Sequence, residues 1–146
     1  MTSRRISREI FVDTGAWFAV QVPDDRWHES AARTLRSLLA RRRPLVTTNL
    51  VVAETYTLLR RTAGAGAAFG FVDRLARTTR LVTVHVDEDL ETDAWQLLRR
   101  FDDHDFSFVD AASFAVMRRR QVTRAFAFDR HFAVAGFVRV PVDEAR

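Results

Sequence analysis

Four carboxylates in this chain stand where an ionised acid is costly. Two follow short apolar runs, Ile10-Phe11-Val12-Asp13 and Ala125-Phe126-Ala127-Phe128-Asp129. Two more lie on the apolar side of helical stretches. Glu54 has Leu50, Val51 and Leu58 at helical spacing, and Asp110 has Phe106 and Phe114 four residues to either side, with Met117 extending the face. An acid among apolar neighbours needs a partner. Brought together, the four would raise one another's pKa and oppose folding until something positive joined them. A divalent cation meets that need. Oxygen ligands with positions left for water suit Mg²⁺ or Mn²⁺ better than Zn²⁺. One or two such ions would serve phosphodiester hydrolysis, polarising a phosphoryl oxygen and acidifying an attacking water.

Plainer readings stand beside this one. Asp is a good N-cap, so Asp13 and Asp129 could each cap the helix that follows. Two matching strand-then-Asp junctions favour a shared site. Glu54 could pair with Arg60 or Arg61 instead. Ser107 and Asp110 have capping-box spacing, although Asp is less usual than Glu or Gln at the third position; capping and metal binding are compatible.

These acids need a frame. Apolar runs at 10–13, 45–47, 81–86, 124–128 and 137–140 predict short strands. Helical periodicity is expected over 14–20, 26–42, 49–61, a stretch carrying Phe69, Val72 and Leu75, 87–101, 108–120 and 130–135. Strands alternating with helices predict a parallel α/β sheet, whose site lies at the carboxyl ends of the strands. Asp13 and Asp129 both fall at such an end. No repeat, low-complexity tract or linker divides the chain, so 1–146 is expected to be one domain, with 1–8 a flexible basic arm that includes Arg4, Arg5 and Arg8.

The 146 residues carry a net charge of +4, and every one of the 23 basic residues is Arg. Codon bias explains most of the missing Lys. Its absence excludes Walker-type phosphate loops and Schiff-base catalysis. The absence of Cys excludes disulfide and thiolate chemistry. Arg suits phosphate through its planar fork, and a basic protein that gathers acids suggests a polyanionic substrate. No apolar run approaches a membrane span and no N-terminal apolar segment is present, so the cytoplasm is the expected location and no membrane partner is expected.

Four segments together resemble a known family. They are Phe11-Val12-Asp13-Thr14; Thr48-Asn49-Leu50-Val51-Val52-Ala53-Glu54-Thr55; Phe106-Ser107-Phe108-Val109-Asp110-Ala111-Ala112-Ser113; and Ala127-Phe128-Asp129-Arg130-His131-Phe132. In order and spacing the chain resembles a PIN domain of the VapC type, the ribonuclease toxins of bacterial toxin–antitoxin pairs. The resemblance implies a three-layer α/β/α domain with a central, mostly parallel sheet of four or five short strands. It implies Asp13, Glu54, Asp110 and Asp129 as the catalytic, metal-binding acids, with Thr14 and Ser107 orienting them. It further implies an Mg²⁺- or Mn²⁺-dependent endoribonuclease acting on tRNA or rRNA, a VapB-like antitoxin partner and a homodimer. Many relatives carry a second acid two residues after the last Asp; here that residue is His131, which leaves the second metal position open.

Asp102 and Asp103 read as a solvated loop, while Asp105 is close enough to the Asp110 helix to join the site. His28, His85, His104 and His131 lack ligand spacing, which favours packing or surface roles. Trp17 and Trp27 read as core or partner contacts rather than base-stacking platforms. The Arg runs at 41–43 and 118–120 sit at helix C-termini, where cations are favourable, and could also track an RNA backbone.

Two competing functions remain at this level. Asp13-Thr14-Gly15 after an apolar strand matches the aspartic-protease signature, which would need a homodimer and an all-β fold; the helical periodicity argues against it. A non-catalytic PIN-like RNA- or partner-binding module is the other, and the presence of all four acids argues against that.

Overall fold

The computed structural model describes residues 6–144, and five parallel strands form its sheet in the order β3-β2-β1-β4-β5. The strands are β1 (Ile10–Val12), β2 (Leu45–Thr48), β3 (Leu81–Val84), β4 (Arg124–Phe126) and β5 (Val138–Val140). Seven helices connect them: α1 (Thr14–Gln21), α2 (His28–Ala40), α3 (Asn49–Ala63), α4 (Ala65–Arg77), α5 (Glu88–Arg100), α6 (Phe108–Arg120) and α7 (Arg130–Val134). The architecture is a three-layer α/β/α sandwich around a sheet that is parallel throughout.

β1 is an unbroken apolar run and β2 adds two buried threonines, Thr47 and Thr48; helices cover both faces, and every residue of either strand is buried. β3, at the edge, is half-buried at Leu81 and Val84 and exposed at Val82 and Thr83. β4 ends at Phe126, shorter than the expected 124–128, because after Phe126 the chain leaves the ladder to carry Phe128 and Asp129 towards α7. No helix among the described residues is long and apolar enough to cross a membrane.

Three features position the acids. First, the strand order reverses between β1 and β4, which opens a crevice at their carboxyl ends. Second, α6 is buried from Asp110 to Met117. That all-round burial suits a helix packed between α5, α3 and α7, and it fixes where the first turn of α6 points. Third, aromatic rings run from the sheet to the crevice. Phe11 packs on Phe132, Phe132 on Phe114, Phe114 on Phe106, and Phe106 meets the His131 ring edge-on at 5.1 Å.

Gly64 ends α3 at φ 93° and lets α4 fold back against it. Trp17 is core: it packs on Phe71, and its indole Nε1 donates to Thr47. Of the expected basic arm, residues 1–5 lie outside the described residues. The Ser7 N–H donates to the Gln121 carbonyl, and the Arg8 carbonyl accepts from Arg43.

Candidate functional site

Asp13 follows β1 directly. Its N–H donates to the Phe126 carbonyl across the switch point, and its own carbonyl accepts from Ala16 and Trp17 at the start of α1. Backbone bonds on both sides thus hold the residue. Its carboxyl does not cap α1, and the residue is only 6% exposed. Burial raises its pKa from 3.8 to about 7; the Thr14 N–H pulls it down, while the charges of Asp110, Asp129 and Glu54 push it further up. All three other acids therefore act on this one carboxyl.

Asp110 is set by its helix terminus. Ser107 Oγ accepts from the Asp110 N–H at 3.0 Å, and Asp110 Oδ2 accepts from the Ser107 N–H at 3.0 Å, a reciprocal capping box. The second oxygen of this carboxylate is left for other work. Asp129 is exposed and caps α7 by accepting from the His131 N–H at 2.8 Å. Its cap interaction and its approach to Asp110 coexist.

His131 belongs to this cluster, against the packing or surface role expected from sequence. Its Nδ1 lies 3.1 Å from Asp110 Oδ2 and 3.5 Å from Asp129 Oδ1. One donor atom each from Asp110, Asp129 and His131 fall within 4.8 Å of one another. The signal in the sequence is Asp129-Arg130-His131: two residues on from a strand-end Asp, at the first turn of a short helix, a side chain turns back to the same crevice.

Glu54 sits half-buried on the second turn of α3 and makes no hydrogen bond or ion pair among the described residues. The Arg60 that could have paired with it bonds Tyr56 instead. Thr48, which caps α3 through the Val51 N–H, and Asn49, whose side chain accepts from the Val86 N–H, anchor that helix to the ends of β2 and β3. The Thr14 hydroxyl is buried with no hydrogen-bond partner, while its backbone N–H lowers the Asp13 pKa. Asp105 is exposed, and nothing among the described residues ties it to the other acids.

The donor set fits a hard divalent cation: carboxylate oxygens converge with one imidazole nitrogen, beside a buried acid and an unpartnered buried hydroxyl. With its proton on Nδ1, His131 donates to Asp110; with the lone pair there, it is a ligand.

Comparisons with known proteins identify the family of this fold. The PIN domain family model matches residues 10–138. The chain is 46% identical over 136 residues to the 23S rRNA-specific endonuclease VapC20 of two Mycobacterium tuberculosis strains, covering 90% of this chain and 97% of each relative. It also matches the crystal structure of Mycobacterium tuberculosis VapC20, described as a sarcin–ricin loop-cleaving toxin. That match has a TM-score of 0.81 and 43% identity, and covers 90% of this chain and 98% of the other. A switch-point crevice beside four acids, and likeness along nearly the whole length of VapC20, lead to one assignment: the chain belongs to the PIN-domain family, among its VapC-type toxins.

Proposed function

We propose that this protein is a divalent-metal-dependent endoribonuclease toxin acting on 23S rRNA in the cytoplasm, held in check by a cognate VapB-like antitoxin. The observation that carries the chemistry is the buried Asp13 carboxyl under the combined field of Asp110, Asp129 and Glu54. Likeness to VapC20 supports the choice of substrate and partner. A homodimer is part of the same reading.

Asp13, Asp110, Asp129 and Glu54 are the proposed catalytic acids, and Mg²⁺ or Mn²⁺, one ion or two, the proposed cofactor. Asp13, Asp110 and Asp129, with His131 Nδ1, would hold an ion, and Glu54 stands by the same crevice. When bound, the metal supplies Lewis-acid polarisation of the scissile phosphoryl group and lowers the pKa of a water. The chain does the rest. The capping box fixes the Asp110 carboxylate in one rotamer. Asp129 is aimed by its bond to the His131 N–H. Burial and like charge leave the metal-free Asp13 carboxyl protonated up to about pH 7, so an ion held there would displace that proton and keep the carboxylate ionised.

The primary test is cleavage of purified 23S rRNA by the antitoxin-free protein, with Mg²⁺ or Mn²⁺ and with EDTA. Discrete products that vanish in EDTA are expected. Cleavage undiminished by EDTA would remove the metal from the proposal, and RNA binding without cleavage in either metal would return the protein to a binding module.

Ser107→Ala separates positioning from ligation. Loss of the cap is expected to cost about 1 kcal/mol in urea unfolding, and the freed Asp110 rotamer to lower cleavage roughly 10- to 100-fold. Activity equal to the parent at saturating metal would show that Ser107 does not orient the acid.

A further inference from the structure

The two Arg runs of the sequence have different surroundings. In the 118–120 run, Arg119 pairs with Asp93 at 2.6 Å and Arg120 with Glu9 at 2.7 Å. The 41–43 run has no such neutralisation. The structure brings it beside Arg77 and Arg80, so that Arg42, Arg43, Arg77 and Arg80 line one cavity of about 650 Å³ with Thr78 and Thr79. Arg42, Arg77 and Arg80 contact no carboxylate among the described residues, and Arg43 spends its Nε on the Arg8 carbonyl. A second cavity of about 290 Å³ shares Arg43 and adds Arg33, Arg41 and Arg124, of which Arg124 pairs with Glu144. Burial and the neighbouring charges of Arg124 and Arg8 lower the Arg43 pKa, and the opposing pull of Glu144 does not offset them.

The backbone adds an independent observation. Arg42 stands at φ 54° and Arg80 at φ 61°. Arg42 is the left-handed residue of a Schellman motif: its N–H bonds the Leu39 carbonyl, and the Arg43 N–H bonds the Leu38 carbonyl. Glycine fits such positions at lower strain; a long side chain costs on the order of 1 kcal/mol there. Two unpaired cations are thus kept, at the mouth of one cavity, where the fold alone favours Gly.

The cavity lies at the amino ends of β2 and β3, since Arg43-Pro44 leads into β2 and Arg80 into β3. The acids lie at the carboxyl ends. The strands between them span roughly 10 Å, so this is a separate site. Its chemistry is planar, multidentate and cationic, with two hydroxyls, which matches phosphodiester oxygens.

We propose that the Arg42–Arg43–Arg77–Arg80 cavity is a second RNA-backbone site, gripping phosphates of a folded RNA remote from the scissile bond. The choice of RNA over another polyanion rests on the ribonuclease reading above. Phosphate contacts here position the RNA and carry no base preference.

The test is RNA binding in EDTA, where no cleavage can intervene, followed by fluorescence anisotropy of a labelled RNA stem–loop across a KCl series. Arg42→Gly with Arg80→Gly removes two cations while relieving the left-handed strain, so the fold is expected to be as stable as the parent or more so. The slope of log K against log [KCl] is expected to flatten by about 1.5, at 0.7 to 0.9 per lost phosphate contact. Gln121→Gly, at the third left-handed residue (φ 58°), is the backbone control and should leave the slope alone. Arg100→Gln with Arg118→Gln removes equal charge elsewhere. An unchanged slope in the Arg42/Arg80 variant overturns the proposal, as does equal flattening in the Arg100/Arg118 variant, which would mean bulk charge alone. A polyglutamate peptide whose binding is lost in the Arg42/Arg80 variant while the RNA slope stays put would overturn it in favour of an acidic protein partner. Because metal-dependent cleavage is not measured here, failure of this site and failure of the nuclease reading give different results.

Discussion

Asp13→Asn is expected to make the metal-free protein more stable at pH 8 while abolishing RNA cleavage. The two effects share a cause. In the folded chain the Asp13 carboxyl holds its proton up to about pH 7, against 3.8 for an ordinary Asp. Below the unfolded value both states bind the proton and Asp13 contributes no pH dependence. Between about 4 and 7 the folded state binds more protons than the unfolded one, so stability falls as pH rises. Above 7 the whole penalty stands, on the order of 4 kcal/mol. Asn carries no charge and can still accept from the Thr14 N–H. Recovering even half the penalty would raise the melting temperature by roughly 4–8 °C in EDTA at pH 8, and the gain should shrink towards pH 4. Added Mn²⁺ should stabilise the parent more at pH 8 than at pH 5, and the variant far less at either. Calorimetric melts over that pH range measure all of this. A variant less stable than the parent at pH 8 would sink the account of Asp13 as a strained, charge-crowded acid.

The second large effect is expected from Asp110→Asn. The amide oxygen can replace Asp110 Oδ2 in accepting from the Ser107 N–H, so the capping box survives and unfolding stability should change by ~1 kcal/mol or less. The charge does not survive. Cleavage should fall at least 100-fold, the scale on which losing a transition-state charge partner acts. The Mn²⁺-induced rise in melting temperature should fall with it. A variant that keeps its Mn²⁺ shift but loses cleavage would move Asp110 from metal ligand to some other catalytic role. One that keeps both would remove it from the proposed site.

Much of this site was legible before any tertiary contact was considered. A continuous apolar strand followed by Asp is a local pattern, and at Asp13 and Asp129 it marked the carboxyl edge of a sheet. Asp110 was visible because helical period three to four is rigid enough to say which residues share its face, and Ser107 because a capping box is written within four residues. Glu54 stood out by the same period. These are short-range relations, fixed by backbone geometry.

Where local patterns fall short, the deciding contact crosses between elements. His131 shows no ligand spacing, yet a neighbour 21 residues earlier, Asp110, sits 3.1 Å from its ring. Thr14 was expected to help orient the carboxylates, and its hydroxyl is buried without a partner. Asp105, five residues before Asp110, stays in solvent because the turn between Phe101 and Ser107 buries Phe106 against Phe101 and Phe114 and leaves the acid outside.

The sequence by itself determined the alternation of strands and helices, the carboxylates at the strand ends and helix starts, and a surplus of Arg. Those follow from periodicity, propensity and charge, which need no knowledge of distant neighbours. Only the tertiary structure decided which acids share a field, that His131 joins them, and that one Arg run is neutralised by Asp93 and Glu9 while the other gathers Arg77 and Arg80 around an unpaired cavity. The reason is physical: a pKa, a ligand set and an electrostatic patch are sums over atoms a few ångströms apart, and strand order, not sequence order, sets which atoms those are.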